Sequence, residues 1–261
     1  MQKSVKTTAL VTGATSGIGL ELARILAQKG NDLVLVARTA DRLKSLAAEL
    51  SSTGAKVTVI RKDLSRPESP EEIYKELAKK KISIGILVNN AGFGDNGPFV
   101  EAEWPFTSAM IMTNIHALAH LTRLFLPPMR AKGEGRVLNV GSTAGLQPGP
   151  MMAVYYATKA FVNHFSEALD AELKGTGVTV TVLCPGPTET GFQAASNARG
   201  MKLFSYLSVA SARDVAETGY NAMMSGRRMV IHGLLNKILA FNLRLSPRRL
   251  STAIAGMVNS K

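Results

Sequence analysis

The stretch LVTGATSGIGLELA, residues 10–23, constrains the fold more than any other part of the chain. A short apolar run, Thr8–Thr12, reaches Gly13, and a few positions later apolar residues recur at helical spacing until Gly30 stops them. The alternation then repeats. Strands are predicted at Leu33–Ala37, Val57–Ile60, Ile86–Asn89, Arg136–Val140, Val178–Leu183 and Arg228–Ile231. Between them, ADRLKSLAAELSSTG has helical periodicity and ends at Gly54, and 109–129 and 153–173 each read as one long helix. Strand and helix in steady alternation predict an α/β domain: a doubly wound parallel sheet with helices on both faces. No linker, repeat or low-complexity tract interrupts the pattern, so residues 1–261 are expected to form a single domain.

Gly13, Gly17 and Gly19 stand in a T-G-x-x-x-G-x-G spacing between the first strand and the first helix. One glycine permits a tight turn, and another lets backbone approach a pyrophosphate held at the helix N-terminus. Small residues also allow close helix–strand packing. Glycine turns are common, but strand before and helix after is the context that dinucleotide binding requires, and the sheet is accordingly read as Rossmann-type. The second strand ends LVLVARTADR, with Ala37 where an acid that bonds a ribose 2′-hydroxyl would be expected, and Arg38 next. A guanidinium binds a 2′-phosphate that a carboxylate would repel, so the expected cofactor is NADP(H), with Arg38 as main contact and Arg42 or Ser16 beside it. The alternative for Arg38 is a solvated arginine at a strand end.

Composition narrows the remaining classes. Hydrophobic residues make up 46% of the chain, too many for a disordered polypeptide. The net charge of +12 is compatible with nucleic acid, an anionic surface or an anionic ligand, or with solubility alone. No basic run interleaved with aromatics and no nucleic-acid-binding motif is visible, so no nucleic-acid partner is expected. Cys184 is the only cysteine, which excludes an internal disulfide and suits a reducing, cytoplasmic setting. The first residues have no apolar stretch ending in a small-residue cleavage site, and no run approaches the roughly 18 apolar residues of a membrane span.

In VYYATKA, residues 154–160, Tyr155 has Lys159 four places on, whereas Tyr156 has Ala160. Residues four apart share a helix face, so Tyr155 and Lys159 can cooperate and Tyr156 points elsewhere. The pair follows a strand ending NVGSTAG, with Ser142 at its tip, and Asn114 lies in the helix after LVNNAGFG. With TGATSGIG (12–19), DL (63–64), NNAG (89–92), YYATK (155–159) and PGPTET (185–190) in that order, the chain resembles a classical short-chain dehydrogenase/reductase (SDR). Gly141, before the serine, is a minor departure, since many members have another small residue there.

The resemblance implies a catalytic set of Asn114, Ser142, Tyr155 and Lys159. Tyr155 is the general acid in carbonyl reduction and the general base in alcohol oxidation. A phenol has a pKa of about 10, and a nearby ammonium or an oxidised nicotinamide would lower it toward neutrality. Ser142 is expected to hydrogen-bond the substrate oxygen, Lys159 to hold the nicotinamide ribose, and Asn114 to hold a water that connects Lys159 to solvent. The same resemblance implies cofactor contacts from Gly13, Thr15, Ser16, Gly17, Ile18 and Gly19, from Asp63 and Leu64, and from Asn90, Ala91 and Gly92. It adds Tyr155, Lys159, Pro185, Gly186, Thr188 and Thr190. Asp63 as a helix cap and Asn90 as a partner of backbone groups remain open. The activity implied is NADP(H)-dependent reduction of a hydrophobic ketone or aldehyde. The rival is a nucleotide-responsive binding or regulatory protein on the same fold.

Residues 191–210 are expected to form a substrate lid, with Gly191 and Gly200 as hinges and Phe192, Met201, Leu203, Phe204, Tyr206 and Leu207 as an apolar lining or as ordinary packing. Residues 233–258 form an amphipathic segment. Leu234, Ile238, Phe241 and Leu245 share a face, and Lys237, Arg244, Arg248 and Arg249 add charge. It is expected to pack, covering the active site or a neighbouring subunit, with weak contact to an anionic membrane as the alternative. No metal is expected. His116 and His120 are four apart, but no third ligand accompanies them, and Cys184 reads as a buried, inert thiol. Family resemblance also implies a homodimer or homotetramer paired through the helices near 103–131 and 153–174.

Overall fold

The structure, a computed structural model, describes residues 7–191 and 209–260. A seven-stranded parallel sheet carries β1 (Thr8–Thr12), β2 (Asp32–Ala37), β3 (Val57–Arg61), β4 (Ile86–Asn89), β5 (Gly135–Val140), β6 (Val178–Cys184) and β9 (Met229–Ile231). Its order is β3-β2-β1-β4-β5-β6-β9, and a separate two-stranded pairing joins β7 (Thr188–Glu189) to β8 (Ala210–Ser211). Side chains alternate across each strand and feed two cores. Ala9, Val11, Leu33 and Leu35 pack against α1 (Gly17–Gln28), α2 (Ala40–Ser51) and α7 (Ala212–Met224). Leu10, Val34 and Val36 face α3 (Ser69–Lys79) and α5 (Leu118–Lys132) through Ile73, Leu77, Leu121 and Phe125. Burial on both faces is why these strands read as apolar runs rather than alternating ones.

The predicted strands all form, with boundaries within a residue. The 109–129 helix is more complex. The helical path runs as α4 (Trp104–Ile111), a π-helical turn over Met112–Ala117, then α5. Helix α6 (Ala153–Glu172) follows β5 and a 3-10 turn at Thr143–Leu146. The amphipathic segment is two helices, α8 (Leu234–Leu245) and α9 (Arg248–Asn259), broken where Pro247 removes a donor. The chain winds outward from β1 to β3, then returns to β4 on the other side of β1. That reversal opens a crevice at the carboxyl ends of β1 and β4, the place where doubly wound sheets bind ligands.

Candidate active site

At the crevice, Thr12, Gly13 and Asn90 are locked together. The Asn90 side-chain amide donates to the carbonyls of Thr12 and Gly13 at 3.0 and 3.2 Å, and the Thr12 hydroxyl accepts from the Asn90 and Ala91 amides. Asn90 thus satisfies backbone groups, one of the two roles left open by its sequence, while also lining the crevice. Gly17 has φ 54°, and a Cβ there would lie 2.8 Å from Thr190 Cγ2. Gly19 is buried and does not line the crevice. A Cβ on it would sit 2.2 Å from Asn90 Nδ2, so its part is close packing of helix on strand.

A cavity of about 570 Å³ runs along this crevice. Of the predicted cofactor contacts, all but Gly19 line it: Gly13, Thr15, Ser16, Gly17, Ile18, Arg38, Arg42, Asp63, Leu64, Asn90, Ala91, Gly92, Tyr155, Lys159, Pro185, Gly186, Thr188 and Thr190. The lining fits a dinucleotide. The Ser16 cap position leaves the first amides of α1 without a side-chain partner, an anion site at a helix N-terminus. Arg38 and Arg42 are exposed on the β2 side, and the sheet order places Ser142 and Tyr155 on the β5 side. Asp63 turns its carboxylate onto Ser65, accepting from its amide at 3.0 Å and its hydroxyl at 2.8 Å. Burial pushes that carboxyl up, but the Ser65 bonds and the Arg38 and Arg66 charges outweigh it, so Asp63 stays below the usual carboxylate range.

Ser142 lies two residues beyond β5 and caps the 3-10 turn, its hydroxyl accepting from the Ala144 amide at 3.0 Å. Its carbonyl is held by Asn163 Nδ2 at 3.0 Å. A Cβ on Gly141 would lie 2.1 Å from Asn163 Oδ1, which explains the departure from other small residues at that position. Tyr155 and Ser142 are hydrogen-bonded through their side chains. Lys159 Nζ lies 5.9 Å from the Tyr155 ring centroid and donates to the Val140 carbonyl at 2.8 Å. No carboxylate pairs with it among the described residues. Burial pushes its ammonium down to about 8. A buried cation without a counter-charge is costly, and such costs concentrate at functional sites.

The phenol departs from expectation. Burial raises Tyr155 above the ordinary value, and the Ser142 hydrogen bond offsets only part of this. Lys159 Nζ, 5.9 Å from the ring centroid, does not overcome desolvation of the phenol. Bringing the phenol toward neutrality therefore requires more positive charge than Lys159 supplies alone.

Asn114 does not line the cavity. It is buried behind Gly92 in the π-helical turn. Its two amide hydrogens go to Phe93 O at 2.9 Å and Thr158 Oγ1 at 3.0 Å, and its Oδ1 accepts from the Phe93 amide at 3.1 Å. Thr158 in turn donates to the Tyr155 carbonyl. The expected water-holding role of Asn114 thus has no free side-chain donor to work with, and what the side chain does is tie the Phe93 loop to α6.

Tyr156 edges the cavity, but its hydroxyl is taken by Asn259 Oδ1 at 3.0 Å, which separates the two tyrosines as their spacing predicts. Cys184 is fully buried, and burial pushes its thiol up, away from the thiolate form. His116 and His120 stack edge to face, with His116 bonding Pro67 O at 3.2 Å. The C-terminal segment covers the site, one of the placements its sequence left open, but through another face than the predicted one: Asn236, Leu239, Ala240 and Leu243 of α8 line the cavity. The helical repeat in 234–245 was visible, but which face met the site depends on a tertiary contact. The predicted lining residues Phe192, Met201, Leu203, Phe204, Tyr206 and Leu207, with Gly200, lie outside the described residues.

Comparison with known proteins shows the family. Residues 7–200 match the short chain dehydrogenase family. A very-long-chain 3-oxoacyl-CoA reductase of Danio rerio is 38% identical over 182 residues, covering 68% of this chain and 56% of that protein. The chain spans 56–58% of the length of the vertebrate reductases of this kind that it matches. A sulfoacetaldehyde reductase of Chromohalobacter salexigens is 38% identical over 218 residues, covering 80% of this chain and 84% of that protein. A short-chain dehydrogenase from Sphingobium yanoikuyae in complex with NADPH superimposes with a TM-score of 0.81 at 32% identity, covering 92% of this chain and 94% of that one.

Proposed function

Because the chain belongs to the short-chain dehydrogenase family and is therefore a nicotinamide-dependent oxidoreductase, we propose that it uses NADP(H) to reduce a hydrophobic ketone or aldehyde. The observation that carries this reading is the single cavity lined by Arg38 and Arg42 on one side and by Ser142, Tyr155, Lys159 and the apolar α8 wall on the other. The absence of an acid at the end of β2 favours a 2′-phosphate. A bound NADPH would supply the hydride.

The chain's own residues supply the rest. Ser142 donates a hydrogen bond to the carbonyl oxygen and stabilises the charge that builds there. Tyr155, hydrogen-bonded to Ser142, delivers its proton to the same oxygen. Lys159 is protonated below about pH 8 and holds positive charge near the phenol, which limits the cost of the phenolate left behind. Leu239, Ala240 and Leu243 exclude water from the reacting face and give the substrate an apolar surface. Pairing of subunits through the faces of α4, α5 and α6, where Phe161 stacks on Phe165, and a cytoplasmic location complete the reading.

A panel of ketones and aldehydes, from small acidic to long-chain and polycyclic, assayed with NADPH and with NADH tests it. The expected result is NADPH-preferring turnover, fastest on apolar members. NADH preference, or turnover confined to small acidic aldehydes, overturns the assignment. NADPH binding without turnover on any member favours the regulatory reading.

A further inference from the structure

Helix α8 is apolar on two opposite sides. Asn236, Ala240 and Leu243 turn inward to the cavity, while Leu234, Ile238, Phe241 and Leu245, spaced by three and four, turn outward. None of its residues is buried. The outward stripe is open to solvent: Leu234 is 74% exposed, Phe241 61% and Leu245 75%. Helix α9 repeats the pattern with Leu250, Ile254 and Met257 exposed and Ser251, Ala255 and Asn259 buried. Exposed apolar stripes of this kind mark an interaction site.

Charge identifies what fits it. The last carboxylate of the chain is Glu217, and residues 218–261 contain seven lysines and arginines with no Asp or Glu. Arg228 pairs with Asp170 at 3.2 Å. Lys237, Arg244, Arg248 and Arg249 are exposed and have no carboxylate partner among the described residues. Helical spacing puts Lys237 and Arg244 together on the flank of the α8 stripe, and Arg248 and Arg249 begin α9. An apolar stripe whose only flanking charges are cations suits a helix lying in the headgroup region of an anionic bilayer, where each basic side chain adds to binding. A second protein copy would bring the same cations to face themselves.

We propose that α8 and α9 dock this chain on an anionic lipid surface. No helix of the described residues is long and apolar enough to cross a membrane, so the contact is one of lying on the surface. Docking through the outward stripe leaves the inward stripe lining the cavity, which places the cavity wall directly against the lipid.

Co-sedimentation of the full chain with vesicles tests this. Vesicles of phosphatidylcholine containing phosphatidylglycerol are expected to pellet the protein, phosphatidylcholine alone to leave it in the supernatant, and added salt to weaken the pelleting. Replacing Arg244, Arg248 and Arg249 together by Ser is expected to lower partitioning roughly a hundredfold. The Phe241→Glu, Leu245→Glu double variant is expected to lose pelleting while keeping its circular dichroism and its turnover of a water-soluble ketone. No pelleting on anionic vesicles overturns the proposal, as does pelleting that neither variant changes. If the wild type stays off the vesicles and the double variant dissociates an oligomer, the face is a subunit interface and the proposal falls.

Discussion

Gly141 and Asn163 hold Ser142 in place. With no side chain at 141, Asn163 can approach closely enough to bond the Ser142 carbonyl, and a Cβ would meet both Asn163 Oδ1 and Val182 Cγ2, the latter at 2.9 Å. Gly141→Ala is expected to cost about 1–3 kcal/mol of stability and to lower kcat by displacing Ser142. Denaturant unfolding and steady-state kinetics check it, and an unchanged midpoint with unchanged kcat contradicts the packing argument. Lys159 gives a pH signature. Its folded-state pKa of about 8 lies below the ordinary 10.5, so between these values the unfolded chain holds more protons than the folded one. The Lys159 contribution to stability therefore rises with pH from about 8 to 10.5 and is lost as pH falls through 8, an effect on the order of 3 kcal/mol. Thermal melts of wild type and Lys159→Met should show the variant gaining most at pH 7, with the gap narrowing toward pH 10. A gap independent of pH contradicts it. The convergence of Tyr155, Lys159, Ser142 and the glycine turn on one cavity was legible because they form short local patterns with distinct chemistry. The Gly141–Asn163 contact was not, because it joins β5 to α6 across many residues.

At the scale of elements, Asn259 ties the end of α9 to α6 and to the loops beside it. Asn259, fully buried, accepts from the Tyr156 hydroxyl, donates to Pro150 O at 3.0 Å, and offers its own carbonyl to Asn96. Asn259→Ala removes the two side-chain bonds and leaves buried polar groups without partners, an expected loss of about 1–3 kcal/mol. Hydrogen exchange should show the loosening in 248–259 first, and uniform protection in the variant contradicts a local latch. The alternation of strand and helix was legible from periodicity alone, since central strands are apolar on both faces and each helix shows one apolar face. The π-helical turn at 112–117 was not. One extra residue in a turn leaves hydrophobic spacing almost unchanged, yet it sets where Asn114 lies relative to Phe93 and Thr158.

For the whole molecule, strand order does the main work. Returning from β3 to β4 beside β1 brings Gly13, Asn90, Ser142 and Tyr155, far apart in sequence, to the rim of one crevice. The sheet and its motif residues could be anticipated together, because each motif ends a predicted strand or sits on the helix that follows. For α8 a place over the site was one of the readings its sequence allowed, but the face that lines the cavity was not legible, since an amphipathic pattern states that a face is apolar without stating what it meets. The central claim is that Tyr155 moves the proton within a nicotinamide site. The most direct measurement compares wild type with Tyr155→Phe, reading NADPH affinity by calorimetry and carbonyl reduction by loss of reduced nicotinamide. The expected result is affinity within a few-fold of wild type and turnover lower by about 10²–10⁴ or more. Turnover within a few-fold of wild type, with NADPH still bound, would contradict the account.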